Sequence, residues 1–224
     1  MTIKAVIFDI DGTLLDSVDL HARAWSEAFA HFGIEVAQAD ARRQIGKGGD
    51  ELLKVFLDEE RIAREGETIE AYRSDLFKRE YLSLVKPFPG VRALFERVRA
   101  EGQTIALASS GKASEVEHYQ SILGIGDLVG VATSSDDAER SKPHPDIFQA
   151  ALGKLTGIAA VEAVVVGDTP YDAEAAGKAG LSTVGVLCGG FPEAELSSAG
   201  CMAIYRDAQD LLDGYANSPL ARRG

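Results

Sequence analysis

An apolar, β-branched run at residues 3–8 is stopped by two aspartates spaced i, i+2 and then by a glycine: Ala5-Val6-Ile7-Phe8-Asp9-Ile10-Asp11-Gly12-Thr13. A run of this kind reads as a strand buried on both faces. Along an extended chain, alternation turns Asp9 and Asp11 to the same side. Two carboxylates held together at the C-terminal end of a strand repel each other and need neutralising. A hard divalent cation such as Mg²⁺ does this with oxygen ligands. In open α/β sheets that end of the strands is also where the ligand crevice lies.

The rest of the chain alternates in the way such a sheet requires. Residues 103–109, 128–133, 161–167 and 181–187 read as strands, with 201–205 as a short last one. Residues 90–101, 112–123, 144–156, 171–180 and 207–214 read as helices between or after them. Near-continuous apolar strands separated by helices predict a parallel sheet covered on both faces. Residues 17–86 break this rhythm with helical periodicity at 21–32, 49–60 and 67–85, punctuated by Gly33, Gly66 and residues 87–90. An excursion of about 70 residues is far longer than an ordinary βα connection. The expected organisation is therefore an α/β, Rossmann-like parallel sheet core at 1–16 and 87–224 with an inserted α-helical cap domain at 17–86.

Composition narrows the partners. The 224 residues carry a net charge of −12 and no Lys/Arg cluster, which argues against nucleic acid and anionic membrane surfaces. No apolar run is long enough for a membrane span, and the N-terminus does not resemble a signal peptide. Two cysteines, Cys188 and Cys201, make no disulfide framework. Cys188 suits a small buried apolar role. A cytoplasmic location is expected. Oligomeric state is not legible.

The segment Asp9-Ile10-Asp11-Gly12-Thr13 resembles the first motif of the haloacid dehalogenase (HAD) superfamily of phosphohydrolases. Three later segments resemble the others, in the required order. Ser109-Ser110-Gly111 ends a strand-like run. A small hydroxyl residue before a tight turn exposes backbone N–H groups to a phosphate, although a helix N-cap at or near Ser110 is the plainer reading. Lys142 precedes Pro143, which keeps it out of helical geometry; it projects an ammonium toward a phosphoryl group, or into solvent. Gly167-Asp168-Thr169-Pro170-Tyr171-Asp172 follows another strand-like run, and Pro170 suits the first turn of a helix.

The resemblance implies Mg²⁺ as cofactor, a helical cap inserted after the first motif, and these roles. Asp9 is the nucleophile, since a carboxylate attacking phosphorus forms an acyl phosphate and splits the transfer in two. Asp11 is general acid and base, and its backbone carbonyl joins the metal ligands. Ser109 and the Ser110 N–H meet the phosphate. Asp168 is a direct ligand. Asp172 either ligates the metal, holds a metal-bound water or only complements a helix dipole.

Leu14-Leu15-Asp16-Ser17, with His21, Ala24 and Trp25, resembles the branch that holds β-phosphoglucomutase, phosphoglycolate phosphatase and phosphonatase. Haloacid dehalogenases lack a carboxylate at the Asp11 position. No lysine lies between Lys4 and Lys47, which disfavours a phosphonatase Schiff base. A β-phosphoglucomutase-like sugar phosphate mutase is the enzymatic alternative, since it shares Asp11, the histidine matched by His21 and the Ala-Ser pair, while glycine at the cap-loop arginine position and Gly-Asp in the last motif favour a phosphatase. A phosphatase acting on a small phosphorylated metabolite is expected. A catalytically inactive binding protein is the non-enzymatic alternative. In the loop at 45–50, Lys47, Gly48 and their glycine neighbours either approach the substrate or form a flexible connection. His21 either contacts substrate and shuttles protons or sits at a core edge. Arg42 and Arg43 either assist Lys47 or face water.

Overall fold

The computed structural model describes residues 2–221. In chain order its elements begin with strand β1 (Ala5–Phe8), the two-residue strand β2 (Leu15–Asp16) and the helices α1 (Val18–His31), α2 (Gln38–Arg42), α3 (Gly49–Phe56) and α4 (Glu59–Leu76). A π-helical turn at Phe77–Tyr81 and a 3-10 turn at Leu82–Leu84 lead into strand β3 (Lys86–Pro87) and helix α5 (Val91–Ala100). Then come β4 (Thr104–Ala108), α6 (Ala113–Leu123), β5 (Val131–Thr133), α7 (Asp146–Lys154), β6 (Ala163–Gly167) and α8 (Pro170–Lys178). The last elements are β7 (Ser182–Val186), α9 (Glu193–Ser198), β8 (Cys201–Tyr205) and α10 (Ala208–Asp213).

Six of the strands form one sheet in the order β5-β4-β1-β6-β7-β8. Every pairing within it is parallel. Strand β1 lies at its centre, and alternation divides its side chains between two layers. Val6 and Phe8 join a core with Leu94, Phe95 and Val98 of α5, while Ala5 and Ile7 pack with Ile147 and Phe148 of α7 and Ala175 and Ala176 of α8. All four β1 side chains are fully buried. The expected Rossmann-like α/β fold is the one observed.

Residues 18–84 are helical and carry a third apolar cluster built from Val18, Trp25, Phe29, Leu52, Leu53 and Ile69. Here the helix bounds differ from the expected ones. The helix expected at 49–60 breaks at Leu57, which is extended, because Asp58 caps a new helix by accepting a hydrogen bond from Arg61 N at 2.8 Å. Gly66, expected as punctuation, lies inside α4, where a Cβ would sit 3.3 Å from Ile62 Cγ2 and 3.5 Å from Leu53 Cδ1. Close packing of α3 on α4 explains it better than chain reversal. Helices α2 and α9 were not expected. The two chain crossings between the helical segment and the sheet pair with each other, Leu15 opposite Pro87 and Asp16 opposite Lys86, as a small antiparallel ribbon.

Candidate active site

The parallel register decides what meets at the C-terminal edge of the sheet. Phe8 is aligned with Leu107 on one side and Val166 on the other. Asp9, Ser109 and Asp168 therefore emerge from three adjacent strands at nearly one level, and Asp9 N still bonds to Val166 O at 2.9 Å. Lys142 comes from the loop before α7 and is fully buried. Its Nζ lies 2.5 Å from Asp9 Oδ1 and 2.8 Å from Asp172 Oδ1. Thr13 closes the group by donating to Asp168 Oδ1 at 2.9 Å and to Asp9 Oδ2 at 3.2 Å.

Three buried carboxylates thus face one ammonium. Oxygens of Asp9, Asp168 and Asp172 all lie within 4.8 Å of one another. Burial pushes the Asp9 carboxyl up to about 7; Lys142 pulls it down and Asp172 adds to the rise. Asp168 is held well above the usual carboxylate range, first by burial and then by Asp9 and Asp172. Burial opposes the charge on Lys142, but Asp172 and Asp9 outweigh it and hold the ammonium above its usual range. The cluster is short of positive charge, as crowded buried carboxylates are without a cation.

Asp168 Oδ2 is buried and has no hydrogen-bond partner among the described residues. Glycines make room for it. A Cβ on Gly189 would come within 1.7 Å of that oxygen and one on Gly12, whose φ is +83°, within 2.4 Å. An orphaned carboxylate oxygen in a cradle of glycines, beside a second carboxylate, fits a hard divalent cation. Asp172 is different. Its Oδ2 accepts from Thr169 N at 3.0 Å and Thr169 Oγ1 at 2.7 Å, closing a capping box at the start of α8, and its Oδ1 faces Lys142. Pro170 opens that helix as expected.

Asp11 does not stand beside Asp9 in the way an extended chain suggests, because β1 ends at Phe8. Its carboxylate turns to the helical segment, accepting from Ser17 Oγ at 2.6 Å and facing His21 Nε2 at 3.0 Å. Burial raises its pKa, but His21, Ser17 and Arg73 outweigh burial and hold it below the usual range. His21 is itself buried, stacked on Phe77 at 3.9 Å, with Tyr119 Oη 3.3 Å from its Nε2.

Asp9 and Asp11 both line a cavity of about 260 Å³ roofed by residues 45–50 and walled by α1, α4 and the loop after β4. Ser109 lies beneath it, its Oγ accepting from Gly111 N at 3.0 Å. Ser110 lines it and is not a helix cap, since α6 begins at Ala113; its hydroxyl reaches Gly46 O at 3.4 Å. Lys47 and Gly48 line the roof. The Lys47 ammonium is engaged there, donating to Gln44 Oε1 at 2.7 Å and lying 4.6 Å over the Tyr171 ring. Gly48 packs so closely on Ser141 that a Cβ would come within 1.9 Å of its hydroxyl. Arg42 and Arg43 do not line the cavity, and Arg43 is exposed. They tie the helical segment to the sheet body, Arg42 through Gly189 O at 3.2 Å and Arg43 through Glu195 at 2.9 Å. Cys188 is half-buried and donates to Gly12 O at 3.1 Å, and burial pushes its thiol up, so it is an inert thiol.

Three site residues escape sequence reasoning. Thr13 could have been found, as the hydroxyl two residues after Asp11. Gly189 and Arg73 carry no local signal, because each reaches the site only through tertiary packing.

Comparison with known proteins agrees with this geometry. The model of the haloacid dehalogenase-like hydrolase family matches residues 6–186. A phosphoglycolate phosphatase of Yersinia pestis is 35% identical over 192 residues, covering 84% of this chain and 82% of that one. A phosphorylated carbohydrates phosphatase of Thermotoga maritima is 28% identical over 209 residues, covering 93% and 96%. The crystal structure of a hydrolase from Pseudomonas syringae superimposes with a TM-score of 0.87 at 30% identity, covering 96% of this chain and 98% of that one. On the match over most of its length and on these relatives, the chain belongs to the haloacid dehalogenase-like hydrolases and is a phosphatase among them.

Proposed function

We propose that this protein is a Mg²⁺-dependent phosphomonoesterase that hydrolyses a small phosphorylated metabolite through an aspartyl-phosphate on Asp9. The observation that carries the reading is the buried Asp9–Lys142–Asp168 cluster with its orphaned Asp168 oxygen. Asp9 and Asp168 would hold the ion, together with the Asp11 backbone carbonyl that the family resemblance implies. Bound there, Mg²⁺ would supply positive charge to offset that of the phosphoryl oxygens. Asp172 has one oxygen bonded to Thr169 and the other paired with Lys142, so its part is to hold Lys142 at the start of α8.

The remaining steps belong to the chain. Asp9 attacks phosphorus, the bond from phosphorus to the ester oxygen breaks, and Lys142 balances charge on the group in transfer. Ser109 and the Ser110 N–H steady the phosphoryl oxygens. His21 Nε2 lies 3.0 Å from the Asp11 carboxylate and holds it in place for proton transfer. Asp11 delivers a proton to the leaving alcohol and then takes one from the water that attacks the acyl phosphate. The helical segment at 17–86 acts as a cap domain over the core formed by 1–16 and 87–224, excluding bulk water while the acyl phosphate exists.

Relatives named as phosphatases of phosphoglycolate and of phosphorylated carbohydrates support a small, polar phosphate monoester. No helix among the described residues is long and apolar enough to cross a membrane, and both cysteines are free, which supports work in a reducing cytoplasm. The test is hydrolysis of para-nitrophenyl phosphate with and without Mg²⁺. Metal-dependent turnover that disappears in Asp9→Asn is expected; turnover insensitive to chelation overturns the proposal.

A further inference from the structure

Arg73 lies on α4 and lines the same cavity as Asp9 and Asp11. Its guanidinium sits 5.0 Å over the Trp25 ring and 5.8 Å over Phe77, the ring on which His21 stacks. Aromatic faces hold the group flat and in place but satisfy none of its N–H donors. Its Nε is buried without a hydrogen-bond partner, and the guanidinium makes no ion pair or hydrogen bond among the described residues. A buried donor left unmade is costly. The other arginines among the described residues are hydrogen-bonded or ion-paired; Arg42 and Arg43, earlier in the insertion, both are.

The other cations near the cavity are committed or at its edge. Lys142 lies between Asp9 and Asp172, and Lys47 is held by Gln44 and Tyr171. Lys112 is exposed at the rim. Around Arg73 the wall is acidic, with Asp50, Glu70, Glu115 and Glu139. Among the described cations lining the cavity, Arg73 is the one set into its wall without a hydrogen bond or ion pair. Arg73 lines the same cavity of about 260 Å³ as Asp9 and Asp11, so a group bound at the fork shares that small space with the reacting phosphate ester.

We propose that Arg73 determines specificity by binding a carboxylate carried on the short alcohol part of the phosphate monoester. The claim rests on the phosphatase reading only for the location of the phosphoryl group. The planar, fixed guanidinium suits a carboxylate bidentately, and charge-assisted pairs of this type are the strong ones.

Binding separates this claim from the catalytic one. Calorimetry would compare two inert phosphonates in the presence of Mg²⁺. One is the methylene analogue of phosphoglycolate; the other has a methyl group in place of its carboxylate. The wild type should bind the carboxylate-bearing compound about tenfold or more tighter. Arg73→Met should erase that difference while leaving the affinity for the methyl compound within about threefold, and Arg73→Lys should restore part of it. An equal preference in wild type and Arg73→Met, or no preference in the wild type, overturns the proposal. Thermal melting of both variants checks that the contacts with Trp25 and Phe77 have not been lost with the fold. Failure of turnover alongside a preference that depends on Arg73 would strike the catalytic reading and leave this one standing.

Discussion

The floor and the wall of the cavity are built by different physics. The floor is set by the sheet. Asp9, Ser109 and Asp168 follow β1, β4 and β6, whose hydrogen-bonded register leaves them no freedom relative to one another. Its charged groups are buried, with Lys142 between Asp9 and Asp172 and Thr13 between Asp9 and Asp168. The wall is carried by α1, α4 and the roof loop, joined to the sheet body by the two-residue ribbon of β2 and β3. On it Arg73 makes no hydrogen bond or ion pair among the described residues. On the proposed reading the floor serves the one reaction, while the wall meets whatever the substrate carries besides phosphate.

That contrast orders the expected effects. Asp9→Asn should cost the most, on the order of ten-thousandfold or more in kcat, because an amide is a far weaker nucleophile. Deamidation should be excluded by mass spectrometry. A floor variant that kept near-normal turnover would break the comparison outright.

Next are the groups that shape the metal position. Asp168→Ala should weaken Mg²⁺ at least about a hundredfold, as followed by activity against Mg²⁺ concentration. Gly189→Ala carries the same logic without touching a ligand, since its Cβ would overlap Asp168 Oδ2. A loss of about tenfold to a hundredfold in Mg²⁺ affinity with an unaltered melting temperature is expected. Unchanged affinity would mean that the glycine cradle has no bearing on the ion.

Proton competition supplies the third effect. Metal binds the ionised carboxylates, whereas in the free protein Asp9 titrates at about 7 and Asp168 is held well above its usual range. Mg²⁺ must therefore displace protons below those values. Its affinity should fall as pH drops through about 7, by up to about tenfold per pH unit for each proton displaced, and level off at higher pH. Calorimetry in buffers of different ionisation enthalpy counts the protons released. A flat profile from pH 6 to 8 would contradict the raised carboxylates.

The smallest effect belongs to the wall. Lys47→Ala should change kcat/KM by less than about fivefold, and equally for anionic and neutral phosphate esters, because its ammonium is already held by Gln44 and Tyr171. A substrate-dependent loss in Lys47→Ala larger than that in Arg73→Met would move specificity from α4 to the roof loop.

The same division explains what was legible in the sequence. Strands β1, β4, β6 and β7 are near-continuous apolar runs, and each floor residue follows such a run or a proline-marked turn, so local pattern sufficed. The wall is made by tertiary contact. Nothing near Arg73 in the sequence shows that Trp25 and Phe77 will lie beneath it, and nothing around Gly189 shows Asp168 beside it. Gly66 reads as a break until Leu53 and Ile62 are packed against it. Arg42 and Arg43 sit next to the glycine-rich loop and invite a substrate role, yet their partners are Gly189 and Glu195 across the junction.

The central claim is that Asp9 becomes phosphorylated. Rapid acid quenching of the Mg²⁺-loaded enzyme during turnover, followed by borohydride reduction, converts an aspartyl-phosphate to homoserine, which peptide mass spectrometry locates. The account predicts homoserine at position 9 in the wild type and none in Asp9→Asn. Reduction at another carboxylate, an acid-stable phosphate on Ser109, or full turnover with no trapped acyl phosphate under any quench condition would contradict it.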